Sequence, residues 1–241
     1  MKHSSIVAAT MIAMIAFATL TMSARSKSND DKIKEAAEQS DRAAKAFDAV
    51  MGIPDKAIPT DLLSRAKAVA VFPRVIKVAF TVGGEGGRGV VSRQKDGAWG
   101  NPVFIRGGGP SVGAQVGASS TDYFLLLMND ESVEGLMKDK FELGGEAGVA
   151  AGPVGRNAGA GTDALMHAAI LSYSRSRGLF AGVNVKGVVL RPEDDLNRAV
   201  YNKSARELLS DSIATASPSE GLAAFPNTLT RYTTTKSSGD Q

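Results

Sequence analysis

The first part of the chain has the hydrophobic period of a helix. Starting at Asp30 or Asp31, either of which can cap a helix, small and apolar residues recur about every 3.6 positions with charged residues between them. The residues of this apolar side are Ile33, Ala36, Ala37, Ser40, Ala44, Phe47 and Val50. Gly52 and Pro54 end the predicted helix. Because an apolar side made mostly of alanine binds bilayers poorly, we expect the helix to pack on its own domain rather than lie on a membrane surface.

Beyond this helix the pattern changes to short runs typical of β-strands. These runs are rich in β-branched and aromatic residues and cover 69–71, 75–82, 89–93, 99–105, 111–118, 123–128, 141–151, 168–176 and 179–189. Asp96-Gly97 predicts a hairpin turn between two of them. Helical patterns occur at 60–66, 131–138 and 194–209, and the last of these is expected to break near Asn202.

Glycines recur inside the strand-like runs, and the chain has 26 of them but only 6% aromatic residues. Glycine within a strand weakens it and usually marks a bulge, strong curvature or the close approach of another backbone. Repeated through several strands, it predicts a strongly coiled sheet or a small closed barrel. We therefore expect an α+β fold, with a compact, glycine-rich, strongly curved antiparallel sheet or small β-barrel and flanking helices.

Both ends of the chain differ in composition from this central region. Residues 1–24 have a basic start, an apolar run and the small residues Ser23 and Ala24, as a cleaved secretory signal peptide has. An uncleaved membrane anchor is the alternative, since the apolar run reaches the lower length limit for crossing a bilayer. Residues 217–241 are rich in serine, threonine, proline and glycine and predict a disordered tail. The folded domain is accordingly expected at residues 30–210.

Charge and cysteine content narrow the possible classes of function. The chain has no cysteine, which excludes disulfides, thiolate metal sites and an acylated cysteine anchor. Its net charge of +3 is mildly basic and does not indicate nucleic acid as a partner. Any attraction to phosphate groups must therefore come from local clustering of basic residues.

The candidate catalytic and metal-binding patterns are incomplete. His167 follows Asp163 by four residues and an Asp–His pair can orient a general base, but no serine lies in a Gly-x-Ser-x-Gly elbow. The glycines of 83–89 lack the Gly-Lys-Ser/Thr ending of a phosphate-binding loop. The acidic runs 129–131 and 193–195 do not match the spacing of a calcium loop, and we interpret them as a helix start and a solvated turn. We expect no enzyme activity, no cofactor and no metal.

Basic residues spaced through the strand region form the remaining candidate site. Arginine forks and lysine ammonium groups both suit phosphate oxygens, and a strand can fix the position of such a side chain. The candidates for phosphate contacts, each on or beside a predicted strand, are Lys77, Arg88, Arg93, Arg106, Arg175 and Arg177.

A series of short motifs runs in order through residues 45–202. It includes Ile58-Pro59, Ala70-Val71-Phe72-Pro73, Asp96-Gly97, Ala151-Gly152-Pro153-Val154-Gly155-Arg156 and, most clearly, Ser172-Tyr173-Ser174-Arg175-Ser176-Arg177-Gly178-Leu179-Phe180-Ala181-Gly182. No single motif is diagnostic, but the ordered set resembles the SYLF domain family.

This resemblance implies a lipid-binding module. SYLF domains of eukaryotes bind phosphoinositides and other anionic lipids, some fungal members also bind actin, and bacterial members are exported proteins with a barrel-like sheet. We therefore expect the chain to be a bacterial exported member that binds anionic lipid head groups at the periplasm or cell envelope. Two alternatives stay open: a structural or protein-interaction module of the envelope, and a carrier that encloses a hydrophobic ligand inside the barrel.

Overall fold

The computed structural model describes residues 28–53, 55–79, 83–111, 117–155, 168–210 and 219–234. Its strands form a single curled sheet. Its strands are β1 Ala68–Ala79, β2 Gly83–Lys95, β3 Ala98–Trp99, β4 Val103–Ser111, β5 Gly117–Leu127, β6 Phe141–Glu142, β7 Val149–Ala151, β8 Ile170–Ser176, β9 Leu179–Gly182 and β10 Val189–Pro192. The helices of the described residues are α1 Asn29–Met51, α2 Thr60–Arg65, α3 Asp130–Leu136, α4 Asp194–Tyr201, α5 Ala205–Ser210 and α6 Glu220–Thr234.

The strands pair in the order β6-β10-β4-β2-β1-β5-β8-β7, with β3 added to β2 and β9 to β8. The sheet is strongly curled into a half-barrel, which confirms the predicted α+β class and strong curvature. It is not wholly antiparallel, because β7 and β8 run parallel. A parallel pair needs a long connection, and residues 152–169 between these two strands provide it.

Two apolar cores lie on opposite faces of the sheet. The first face, called the α1 face, carries Val71, Val90 and Phe104 and is covered by α1, α2, α4 and α6. The second, called the α3 face, carries Val91 and Ile105 and is covered by α3 and α5. Because neighbouring strand residues point to opposite faces, the face of any side chain follows from these assignments.

Helix α1 packs on the sheet, as its alanine-rich side predicts. Ala36, Ala43, Phe47 and Val50 are fully buried. The N-cap is Ser28 rather than Asp30 or Asp31, because Ser28 and Asp31 form a reciprocal capping box with distances of 3.2 and 3.3 Å. The expectation that this helix belongs to its own domain is confirmed.

The predicted disordered tail at 217–241 is wrong for the part that the structure describes. Helix α6 packs along α1 with Leu222, Phe225 and Leu229 fully buried, and the rings of Phe225 and Phe47 lie 6.4 Å apart. This segment contains an apolar stripe with helical spacing, which its serine- and threonine-rich composition alone does not indicate. The folded domain therefore extends beyond residue 210 to Thr234, and residues 217, 218 and 235–241 lie outside the described residues.

Two local predictions are confirmed. Asp96 and Gly97 form the β2–β3 turn with φ values of 50° and 79°, as a type I′ turn requires. Asn202 adopts the left-handed conformation and separates α4 from α5. The predicted signal at 1–24 lies outside the described residues. None of the described helices is long and apolar enough to cross a membrane.

Glycines in β2 and β4 leave room on the α3 face for the ring of Phe72 of β1. A Cβ on Gly89 would lie 2.5 Å from the ring of Phe72, whose side chain is buried. Gly107 of β4 flanks the same ring, and its Cβ would lie 3.2 Å away. The close approach of strand backbone to an aromatic ring explains the glycines at these two positions.

Replacement of Gly89 with alanine is expected to lower the free energy of unfolding by about 1–2 kcal/mol, because the added methyl group overpacks the core against Phe72. Urea denaturation measures this change. Gly148→Ala is the matched control, since a Cβ there meets nothing within 4 Å and should change stability by less than about 0.5 kcal/mol. Equal stability of the two variants would contradict the assignment of Gly89 to core packing.

Candidate functional site: an arginine row across the sheet

Three arginines lie side by side across three neighbouring strands. Arg88 of β2 is directly opposite Arg106 of β4, and Arg106 is directly opposite Arg191 of β10. Directly opposite residues of antiparallel strands have their Cβ atoms about 5 Å apart on the same face. Val90 and Phe104 lie on the α1 face, and residues two positions apart on a strand point to the same face. The arginine row, consisting of Arg88, Arg106 and Arg191, therefore lies on the α1 face.

Carboxylates form ion pairs with the arginine at one end of the row. Arg88 forms ion pairs with Glu35 of α1 and Glu193 before α4, and its Nε lies 2.9 Å from a Glu193 oxygen. The interpretation of Glu193 as part of a solvated turn is wrong, because this side chain is only 10% exposed. Arg88 is therefore fixed in orientation and its charge is offset by its neighbours.

Arg106 and Arg191 form the open end of the row. Both are exposed, and among the described residues no carboxylate lies within ion-pair distance of either one. Like charges placed directly opposite in a sheet destabilise it. Two adjacent guanidinium groups without a neutralising acid are thus set up to bind an anion that contacts both.

Arg175 lies on the same face but serves an internal contact. Its Nε and Nη2 donate hydrogen bonds of 3.0 and 2.8 Å to one carboxylate oxygen of Asp122. The other oxygen accepts a 2.9 Å bond from the backbone N–H of Arg74, which has a φ of 54° in the bulge of β1. The Arg175–Asp122 pair therefore connects β8 and β5 to the bulge.

The other predicted contacts are distributed over the molecule. Arg93 lies on the α3 face, where it donates to Asp130 at 2.8 Å and to the backbone oxygen of Leu209. Lys77 also lies on the α3 face, opposite Glu85, and Arg177 occupies the β8–β9 turn. Of the six predicted residues, the structure brings together Arg88 and Arg106.

Arg191 is a member of the row that sequence reasoning missed. The run before it in the chain predicts a strand, but nothing in the sequence shows that this strand pairs with β4. The register between β10 and β4 places Arg191 beside Arg106. Only the three-dimensional pairing reveals the shared position.

A small apolar cavity of about 30 Å³ lies on the α3 face beside Phe72, Val75, Tyr123 and Leu125. Burial and, secondarily, the nearby Glu85 raise the pKa of Tyr123. Ligand pockets for small molecules usually measure about 300 Å³ or more, so this cavity is too small for a lipid chain. It gives no support to the carrier alternative.

The Asp163–His167 pair also lies outside the described residues. Within the described ranges, no group of three or more histidine, aspartate or glutamate side chains is arranged to hold a metal ion. Because Arg106 and Arg191 are exposed and lie within ion-pair distance of no carboxylate in the described ranges, the arginine row is the candidate site that best suits an anion.

Comparison with known proteins adds independent findings. A family model described as "Las17-binding protein actin regulator" matches residues 108–232, just over half of the chain. LAS seventeen-binding protein 3 of Saccharomyces cerevisiae is 39% identical over 66% of the chain and 36% of that protein. The SH3 domain-containing YSC84-like protein 1 is 39% identical in Homo sapiens, over 64% of the chain and 45% of that protein. In Mus musculus it is 35% identical, over 73% of the chain and 53% of that protein. The chain thus spans about a third to a half of the length of these relatives.

Proposed function

Because the chain belongs to the family of Ysc84 or SYLF domains, described as Las17-binding protein actin regulators, we propose that it binds the head groups of anionic lipids through the arginine row. The observation that carries this proposal is the exposed pair Arg106 and Arg191, which lie directly opposite each other with no carboxylate within ion-pair distance among the described residues. The proposed activity is binding without catalysis, and the relatives are named as binding or regulatory proteins.

The geometry of the pair suits a phosphate. Guanidinium groups donate two parallel hydrogen bonds to phosphate oxygens, and two strands hold Arg106 and Arg191 at neighbouring positions. A phosphodiester or phosphomonoester between them neutralises both charges at once. Each basic residue near an anionic membrane surface contributes about 1 kcal/mol, so the row provides weak and salt-sensitive binding.

We place this proposed activity at the cell envelope, because residues 1–24 are predicted to be an export signal. The ligands available there are anionic phospholipids of the membrane surface. The proposal requires the phosphate chemistry of the head group and does not depend on an inositol ring.

Vesicle co-sedimentation tests the proposal with residues 25–241, which include every described residue. We expect retention on vesicles that contain phosphatidylglycerol and no retention on pure phosphatidylcholine vesicles. At about 1 M salt, where the Debye length falls to about 3 Å, the protein should be released. Retention that is equal on neutral vesicles, or unchanged at high salt, would contradict head-group binding.

A protein-interaction module is the second candidate function. The observation that favours it is the name of the yeast relative, LAS seventeen-binding protein 3, which describes binding to a partner. No retention on any vesicle would favour this candidate, and a pull-down with the Arg106→Gln variant as the comparison would then test whether the arginine row takes part.

A further inference from the structure

Large apolar side chains are exposed at one edge of the sheet. Among the described residues, Ile76, Val78 and Leu179 are 49%, 45% and 78% exposed. Ile76 and Val78 lie near the end of β1, and Leu179 begins β9 directly after the turn that follows β8. Ile76 is opposite Ser120, whose backbone oxygen lies 3.5 Å from the hydroxyl of Ser176 at the end of β8. We call this the loop edge, where β1, β4 and β8 end.

Ile76 and Val78 share a face with the arginine row. Val75 belongs to the core on the α3 face, so strand alternation puts Ile76 and Val78 on the α1 face. Ile76 is directly opposite Gly86, and Val78 is directly opposite Gly84. These partner glycines have no side chain to cover the apolar groups.

The spacing between charge and apolar side chains follows from the strand. Gly86 and Gly84 precede Arg88 on β2 by two and four residues. At about 3.3 Å per residue, Ile76 and Val78 lie about 7 and 13 Å beyond the arginine row toward the loop edge. The head-group layer of each bilayer leaflet is about 5–7 Å thick, and interfacial protein segments bury apolar side chains about 5–10 Å deep.

These dimensions place Ile76 within the membrane interface and Val78 a few ångströms deeper, and we infer that the loop edge inserts into an anionic bilayer. Ile76 enters the boundary between head groups and acyl chains and Val78 lies deeper, while Arg106 and Arg191 stay at the depth of the phosphates. Arg177, in the turn beside Leu179, adds a cation at the same edge. This inference rests on the proposed binding of anionic lipids and adds the orientation and depth of the bound protein.

A single-cysteine probe tests the insertion, since the chain contains no cysteine of its own. Val78→Cys carries an environment-sensitive fluorophore, and the vesicles contain phosphatidylglycerol with bromine atoms on the acyl chains. We expect a blue shift and quenching by the brominated lipid. The matched control is Ala98→Cys, at an exposed small residue of β3 that pairs with Lys95 at the opposite end of β2. This variant should bind equally and show neither change.

The outcomes separate the inference from the proposed function. Binding to the vesicles with no shift or quenching at residue 78 would overturn the inference and leave head-group binding in place. Absence of vesicle binding would overturn both. A blue shift that depends on protein concentration without vesicles would also overturn the inference, because a second copy of the chain would then cover this edge.

A second variant tests the apolar contribution without a label. Ile76→Ser combined with Val78→Ser should lower vesicle affinity about tenfold, because each half-exposed side chain loses part of its burial in the membrane. The residual binding should keep its dependence on salt, since the arginine row is unchanged. An affinity equal to that of the unmodified protein would contradict insertion.

Discussion

Replacement of both Arg106 and Arg191 with glutamine is expected to lower the affinity for phosphatidylglycerol vesicles about 30-fold. Each cation near an anionic surface contributes about 1 kcal/mol, and the loss of two corresponds to this factor. Neither side chain has an acidic partner among the described residues, so the double variant leaves no carboxylate unpaired there. Vesicle titration at low salt measures the change, and the dependence on salt should become weaker.

A matched pair of arginines provides the control. Arg65 and Arg206 are exposed. Arg65 lies just before β1, and Arg206 lies on α5, whose Leu209 backbone oxygen accepts a hydrogen bond from Arg93, opposite the first residue of β1. Both arginines therefore lie toward the end of the sheet away from the loop edge. Their joint replacement with glutamine removes the same charge and should leave affinity within about twofold of the unmodified protein, since charges far from the surface are screened. An equal loss in both double variants would show that net charge, rather than the arginine row, governs binding.

Folding stability of the arginine variant separates binding from structural damage. Because Arg106 and Arg191 are like charges in directly opposite positions, their removal should leave the free energy of unfolding unchanged or slightly higher. A drop in stability that parallels the drop in affinity would contradict the assignment of these two residues to ligand binding.

Replacement of Asp122 with alanine is expected to lower the free energy of unfolding by about 3 kcal/mol. Asp122 is 13% exposed and its partner Arg175 is 27% exposed, so the change leaves a largely buried guanidinium group without its counter-charge. It also removes the acceptor for the backbone N–H of Arg74 in the bulge of β1. Urea denaturation followed by circular dichroism measures the loss.

The ion pair between Arg93 and Asp130 offers the comparison for this prediction. Asp130 is 57% exposed, so Asp130→Asn should cost less than about 1 kcal/mol. Arg175→Met in the Asp122→Ala background should recover part of the lost stability, because it removes the uncompensated charge. Additive losses in that double variant would contradict a direct coupling between Asp122 and Arg175.

Much of the fold follows from local patterns in the sequence. The period of α1, the turn at Asp96-Gly97 and the break at Asn202 each depend on a few neighbouring residues, and each is confirmed. The glycines predict curvature because a strand residue without a side chain lets a neighbouring group approach its backbone closely, as Gly89 and Phe72 illustrate. The α+β class needed no long-range information.

The arginine row depends on pairing between distant segments, which a single sequence does not encode in any local pattern. Arg88, Arg106 and Arg191 meet only because β2, β4 and β10 pair in one register, and a shift of one residue would turn a side chain to the other face. The sequence likewise does not indicate the role of Arg175, because Asp122 lies beside it only through the pairing of β5 with β8. Basic residue type alone therefore could not separate ligand contacts from internal ion pairs.

Helix α6 has a consequence for the order in which the protein folds. Its side chains Leu222, Phe225 and Leu229 cover α1, although the two helices stand at opposite ends of the described chain. During synthesis the apolar side of α1 stays without this cover until residue 234 has left the ribosome. Contacts so distant in sequence slow folding because a long loop must close before they form. The chain is therefore expected to complete its native core late, and α1 is the segment whose exposed apolar side a chaperone would bind in the interval.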